Sequence, residues 1–438
     1  MADLNLTNLH GSLTDRALNS MNFLNEVANH YPDAISLAAG RPYEEFYALE
    51  DLHGYLDTFA RYLRDDLGYD EAGARRAIFQ YGRTKGIIHP LVARNLAADE
   101  GITVDPEAIV VTVGCQEAMV LVLRALRADP ADVLLAVSPA YVGITGAARI
   151  VDLPVLPVAG GNEGVDLEDL VAVAKRARAE GLRPRACYVM PDFANPSGLS
   201  LELETRQRLL EIAAQEDLLL LEDNPYGLFP AAGVERLPTL KALDTGRRVI
   251  YLGSFAKTAL PGARVGYVVA DQTVAAPDGT VSLLADELSK IKSMLTVNTS
   301  AVAQAVIGGK LLQNDCSLVA AGTRERKIYA ENLRAITDGL ATRFPRGEVS
   351  WTIPSGGFFV VVTVPFAVDD ALLARSAQEY GVLWTPMHHF YDGDAPVHAL
   401  RLSCSAVTPT QIDTALDRLS ALIHDQLRQQ PGDTATTL

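Results

Sequence analysis

Cysteine is scarce here: the 438 residues hold four, Cys115, Cys187, Cys316 and Cys404, far apart and without a C-x-x-C pair. That spacing excludes a disulfide framework and suits a reducing cytoplasm. Long apolar runs are missing as well. No stretch reaches the roughly 18 residues of a membrane span, and the opening MADLNLTNLHGSLTDRALNSMNF has neither a basic n-region nor an unbroken apolar core, so neither a span nor a secretory leader is expected. Positive charge is in deficit, 38 Lys+Arg against 54 Asp+Glu for a net charge of −16. A nucleic acid or an anionic membrane is a poor partner for such a chain, because phosphate lattices are bound by clustered Lys and Arg. Any anion site must therefore be local. Neither G-x-x-x-x-G-K-[ST] nor G-x-G-x-x-G occurs, which removes the main ATP and dinucleotide readings.

What is present is ordinary globular material, 48% hydrophobic and 21% charged, in a chain long enough for a large domain plus a smaller one. Apolar runs at 109–113 (IVVTV), 133–137 (VLLAV), 155–158, 187–190, 218–221, 249–252 and 265–269 alternate with helix-periodic stretches at 116–128, 167–179 and 201–215. Strands that are apolar throughout and joined by helices predict an α/β fold, a mainly parallel sheet covered on both faces. After about residue 320 a long helical stretch (324–344) and shorter elements predict a smaller α/β domain. The expected division is an arm, 1–50, closing over the active site; a large domain, 51–320; a small one, 321–430; and a polar tail, 431–438.

In such sheets ligands gather at the C-terminal ends of the strands. The residues there are Gly114-Cys115-Gln116, Pro139-Ala140-Tyr141, 192–198, 223–226 and 253–257. Lys257 follows an apolar strand among small residues, an unusual place for a surface lysine, and Arg264 lies seven residues on. The segment S-F-A-K-T-A-L-P-G-A-R-V-G-Y from Ser254 closely resembles the cofactor-lysine motif of fold-type I, class I/II aminotransferases, especially the branch of aminoadipate and kynurenine transaminases. Further segments match in the family's order from about residue 35 to 405.

The resemblance implies pyridoxal 5'-phosphate as cofactor, held by Lys257 as a Schiff base with its phosphate at Ser254 and Arg264. A desolvated amine beside another cation loses its proton more readily, as a nucleophile must. In Glu222-Asp223-Asn224-Pro225-Tyr226 the family's Asp faces the pyridine nitrogen and its Tyr the ring oxygen; a carboxylate there keeps the ring cationic and able to accept carbanion charge. Local sequence alone would equally allow a turn aspartate. Asn195 in Asn-Pro-Ser-Gly matches the residue that bonds the ring oxygen and touches the substrate carboxylate. Gly114, Cys115 and Gln116 match a glycine turn opening a helix, where backbone N–H groups suit a phosphate. Tyr141 matches an aromatic stacked on the ring, with plain packing as the alternative. Arg401 in Leu-Arg-Leu-Ser matches the arginine that grips the α-carboxylate. Gly40 and Arg41 match the segment closing over the substrate, Arg41 being either a partner for an acidic side chain or solvated. Tyr81 and Asn298 resemble residues that homodimers of this type lend to the neighbouring site.

The implied reaction moves an amino group from an amino acid to a 2-oxo acid by way of an external aldimine and a quinonoid, Lys257 carrying the proton. Two rivals stay open on the same scaffold: β- or γ-elimination, replacement or carbon–carbon bond formation, and a non-catalytic regulatory module. The latter is disfavoured because no helix-turn-helix or basic patch precedes residue 35. Pro386-Met-His-His-Phe390 departs from the branch's usual glycine. With MNFLNEV from Met21 and GRTKGIIH from Gly82, it resembles a subgroup that includes 3,5-dihydroxyphenylglycine transaminases of antibiotic pathways, and points to a bulky, aromatic or polar side chain on the donor. His388 and His389, read as neighbours on an extended segment, would face opposite ways, so no metal is expected; one of them would line the substrate pocket.

Overall fold

The computed structural model describes residues 4–161, 164–393 and 395–429, so the tail expected at 431–438 lies outside the described residues. The centre is a seven-stranded sheet: β1 (Ile109–Thr112), β2 (Asp132–Ser138), β3 (Val155–Ala159), β4 (Arg183–Val189), β5 (Leu219–Asp223), β6 (Val249–Ser254) and β7 (Gly266–Val269). Their order is β1-β7-β6-β5-β4-β2-β3, and every adjacent pair is parallel except the two made by β7, which runs against both neighbours. The apolar runs thus become buried strands of a mainly parallel sheet.

Side-chain alternation divides the sheet into two faces. Val110, Leu134, Ala136, Tyr188, Leu221, Leu252 and Val268 pack on one face against Ala118, Met119, Leu121 and Val122 of the helix Gly114–Leu126. Leu135, Cys187, Val189, Leu220 and Val249 turn to the other face. There they meet Leu170, Val173 and Ala174 of Leu167–Ala179, and Leu209, Ile212 and Ala213 of Leu203–Gln215. Asp223 lies two residues beyond Leu221, so it shares the face of Tyr188.

A second core forms around an antiparallel sheet of β8 (Ser350–Trp351), β9 (Phe359–Thr363), β10 (Thr385–Pro386) and β11 (Ala399–Ser403), in the order β8-β9-β11-β10. The helices Thr323–Arg343 and Pro409–Gln429 cover it with Ile336, Leu340, Leu416 and Leu419. Val27, Leu37 and Ala38 from the N-terminal segment belong to this core. Ile35–Ser36 pairs in parallel with Val382–Leu383, and Leu37 bridges onward: its N–H donates to the Leu383 carbonyl at 2.8 Å and its carbonyl accepts from the Ser403 N–H at 2.7 Å. The start of the chain is thereby laid against the C-terminal unit, next to the ends of the large sheet.

The loop after β4 carries Asn195, and a buried ion pair anchors it. Arg206 is fully buried; its Nη2 donates to Asp192 Oδ1 at 2.5 Å and its Nη1 to Asp192 Oδ2 at 3.2 Å. Its Nε and both Nη groups also reach the carbonyls of Leu201, Pro191 and Pro238. Removing one member of a buried pair strands the other charge. Asp192→Ala is expected to cost about 3–5 kcal/mol of stability, measured by denaturant unfolding. A loss no larger than that of an exposed pair, about 1 kcal/mol, would refute the anchoring role.

Candidate active site

A cleft of about 360 Å³ lies at the C-terminal ends of β5 and β6, roofed by the helix Arg16–His30 and bounded by β9 and β11. The structure brings to its wall Lys257, Asp223, Tyr226, Asn195, Tyr141, Cys115, Gln116, Ser254 and Arg264, together with Gly40, Arg41 and Arg401. Gly114, Tyr81 and Asn298 are absent from that wall. Gly114 lies buried just beneath, and Tyr81 is 84% exposed on the outside of the chain.

Lys257 sits three residues past β6 and its Nζ donates to the Gly40 carbonyl at 2.6 Å, joining the N-terminal segment to the large sheet. Burial, then the charges of Arg264 and Arg401, pull its pKa down to about 8, against the opposing pull of Asp223. Asp223 ends β5 and is 2% exposed. The Tyr188 hydroxyl donates to its Oδ2 at 2.6 Å and the Cys115 thiol approaches Oδ1 at 3.6 Å. Burial raises its pKa to about 6, with those donors and Lys257 resisting. The buried phenols of Tyr226 and Tyr141 are pushed upward, first by burial, so both remain protonated donors. Gln116 Nε2 reaches the Tyr141 hydroxyl at 3.4 Å.

Arg401 stands on β11, 5% exposed. One Nη donates to Asn195 Oδ1, the other to the Ala38 carbonyl at 3.0 Å and Thr385 Oγ1 at 3.1 Å. Its guanidinium lies 4.2 Å from the ring centre of Phe359 and 4.9 Å from that of Phe390. Its Nε is buried without a partner, and among the described residues no carboxylate pairs with it. Burial lowers its pKa to about 10. A desolvated guanidinium without a counter-charge is an incomplete site for a carboxylate.

A second anion site adjoins. The helix Gly114–Leu126 begins without a side-chain cap, leaving first-turn N–H groups for an anion. Gly114 has φ 69°, and a Cβ there would stand 2.6 Å from Arg264 Nη2. Only glycine allows that approach. The guanidinium of Arg264 has no hydrogen bond or ion pair to another described residue, and Ser254 faces the same cleft. The chemistry of this donor set fits a phosphorylated aldehyde: an amine of depressed pKa, a carboxylate suited to a protonated ring nitrogen, and an uncapped helix start beside an unpaired arginine.

Residues 51–419 match the family described as aminotransferase class I and II, and the chain belongs to it. It is a pyridoxal-phosphate enzyme of fold type I that moves amino groups between amino acids and 2-oxo acids. It is 58% identical over 426 residues to (S)-3,5-dihydroxyphenylglycine transaminase of Amycolatopsis orientalis, covering 97% of this chain and 96% of that one. To 2-aminoadipate transaminase of Thermus thermophilus it is 32% identical, with 89% of each covered. Among solved structures, the kynurenine aminotransferase of Pyrococcus horikoshii superposes with a TM-score of 0.81 at 28% identity, covering 96% of this chain and 97% of that one.

The histidines require a correction. His388 and His389 are not on an extended segment: Met387–Phe390 is a 3-10 turn, which brings the two ring centres to 4.1 Å, tilted by 37°, rather than parting them. Neither lines the cleft. Both reach Asp370, through Nε2 at 3.5 Å and 2.9 Å, and His389 Nδ1 meets Ser20 Oγ at 2.8 Å. Sequence reasoning also missed Tyr188, Phe359 and the cleft-facing Met21, Leu24, Asn25 and Ala28. Tyr188 was readable only through register, since β4 places it two residues out of step with Asp223 on the same face.

After loading with pyridoxal phosphate, borohydride is expected to label Lys257, and Lys257→Ala to abolish the label. In the cofactor-free protein the rate of capture should rise with pH through a midpoint near 8 rather than 10.5, because the amine must be neutral to attack. Peptide mapping and stopped-flow absorbance check this; a label elsewhere, or a midpoint near 10.5, overturns the assignment.

Proposed function

We propose that this aminotransferase acts on an amino acid with an aromatic, hydroxyl-bearing side chain, the class to which 3,5-dihydroxyphenylglycine belongs, in exchange with a 2-oxo acid. The observation that carries the proposal is the roof of the cleft. Met21, Leu24 and Ala28 offer an apolar surface, Asn25 and Asn29 offer amides for hydroxyls, and among the described residues that line the cleft on that side the only cation is the exposed Arg41. A side-chain carboxylate would find little there. The 58% identity to a transaminase of that substrate supports the same reading.

In this scheme Arg401 and Asn195 hold the α-carboxylate, which places the α-carbon over Lys257. Ser254, Arg264 and the Gly114-Cys115-Gln116 turn hold the cofactor phosphate, Asp223 faces the ring nitrogen, Tyr226 and Asn195 face its oxygen, and Tyr141 lies on the ring. The cofactor, when bound, supplies the electron sink. Lys257, neutral in part near pH 7, would serve as the general base that holds the substrate's α-proton at its Nζ. Gly40, held by Lys257, marks the arm (1–50) that closes over the large (51–320) and small (321–430) domains.

The enzyme is proposed to work as a homodimer. Phe79, Tyr81 and Met294, 72%, 84% and 83% exposed, and Val297 at 50% make an unusually apolar surface beside Asn298. Tyr81 and Asn298 then reach the neighbour's site. No helix among the described residues is long and apolar enough to cross a membrane, and the free thiols support a cytoplasmic setting.

A panel of amino acids mixed with the yellow enzyme is expected to give the pyridoxamine form and the matching 2-oxo acid fastest with hydroxylated aromatic donors, reversed by 2-oxoglutarate or another oxo acid. Loss of a side-chain substituent with no pyridoxamine form would move the protein to the elimination class. Arg401→Lys is expected to raise KM for the amino acid roughly tenfold or more, with a smaller effect on cofactor binding, because an ammonium cannot reproduce the guanidinium fork. Equal losses of both would remove Arg401 from that role.

A further inference from the structure

We infer that Tyr188 is the positioning residue of Asp223, fixing both the direction and the charge of the carboxylate proposed to face the cofactor's ring nitrogen. The inference rests on that reading of Asp223 and not on which amino acid is the donor.

The geometry is specific. Tyr188 lies on β4 and Asp223 at the end of β5, neighbouring strands in which Tyr188 is level with Leu221. Both side chains therefore rise from one face, and the phenol reaches along it to Asp223 Oδ2 at 2.6 Å. Each is 2% exposed, so water cannot stand in for either partner. Oδ1 has only the Cys115 thiol at 3.6 Å, a weak donor. The carboxylate is thus tethered firmly at one oxygen and loosely at the other, and keeps lone pairs for the cleft, which it lines.

The electrostatics give the tether a purpose. A carboxylate this buried drifts toward the protonated form, and Asp223 stands raised to about 6, burial being the largest cause and the Tyr188 hydrogen bond the leading counterweight. Burial and the Asp223 charge hold the phenol itself well above its usual range, so it stays a donor at any working pH. Without the hydroxyl the carboxylate would bind a proton more tightly. A proton shared with the ring nitrogen would shift toward Asp223, and the ring would lose cationic character. Loss of positive charge on the ring makes the lysine-linked imine hold its own proton to higher pH.

Tyr188→Phe removes one oxygen and keeps the ring that packs in the core. The cofactor-free variant is expected to bind pyridoxal phosphate about tenfold more weakly, as for loss of a hydrogen bond to a charged group. The loaded variant should show the pH midpoint of its visible band displaced upward. In an Asp223→Asn background the same substitution should have almost no further effect on either readout. If Asp223→Asn itself changes neither affinity nor midpoint, the reading of Asp223 falls and this inference with it. If Asp223→Asn changes both while Tyr188→Phe changes neither, or if the two effects simply add, the inference alone falls. Should Tyr188→Phe fail to fold, 3-fluorotyrosine at 188 keeps the shape and strengthens the donor, and the midpoint must then move downward; an upward or absent shift overturns the inference.

Discussion

Four cations, Lys257, Arg264, Arg401 and Arg41, line one cleft with a single described carboxylate, Asp223, in a chain whose net charge is −16. Like charges in one cleft repel, and the buried Arg401 costs desolvation as well. The crowding is visible at Lys257, which drops to about 8 with Arg264 and Arg401 acting after burial, whereas burial is what lowers Arg401 to about 10. Such a site is incomplete until anions enter it. Under the proposed assignment, a phosphate would sit beside Arg264 and a carboxylate on Arg401, the two kinds of anion that the cofactor and substrates carry.

The scaffold holds this unfavourable arrangement because each charged group is fixed by an element stabilised elsewhere. Arg401 is paired on both sides within its sheet, facing Val361 on β9 and Thr385 on β10. Asp223 ends a strand buried on both faces, and Asn195 rides on a loop pinned by the Arg206–Asp192 pair. Lys257 is tied to the Gly40 carbonyl. Gly40 is itself confined, since a Cβ there would stand 2.6 Å from the Phe359 ring that also lies under Arg401. The N-terminal segment, the large sheet and the small sheet meet through these few contacts.

Much of this was legible in the chain. Apolar strands alternating with helices gave the mainly parallel sheet, and the strand-end rule selected Lys257, Asp223, Tyr226, Asn195 and Ser254 among the residues that line the cleft. What stayed hidden depends on pairing rather than on pattern. Gly-Tyr-Val-Val of β7 reads like any buried strand, and nothing local says that it runs against its neighbours. Tyr188 sits inside an unbroken apolar run, where a tyrosine looks like packing until register sets it beside Asp223. The helix Arg16–His30 carries no chemical motif, yet it roofs the cleft. The His388-His389 pair misled because alternation applies to a strand, and the local backbone is a 3-10 turn.

The charge surplus also couples the binding steps. Lys257 is depressed by burial first and then by Arg264 and Arg401, in that order. An anion seated on Arg264 cancels part of the second effect, and a carboxylate on Arg401 part of the third, so the lysine becomes more basic as the sites fill. The empty protein therefore presents an amine already neutral enough near pH 7 to attack an aldehyde. The filled one presents a stronger base at the moment when a proton must be taken from the α-carbon. Asp223 works in the opposite sense: its charge supports a cation near it, and Tyr188 protects that charge against burial.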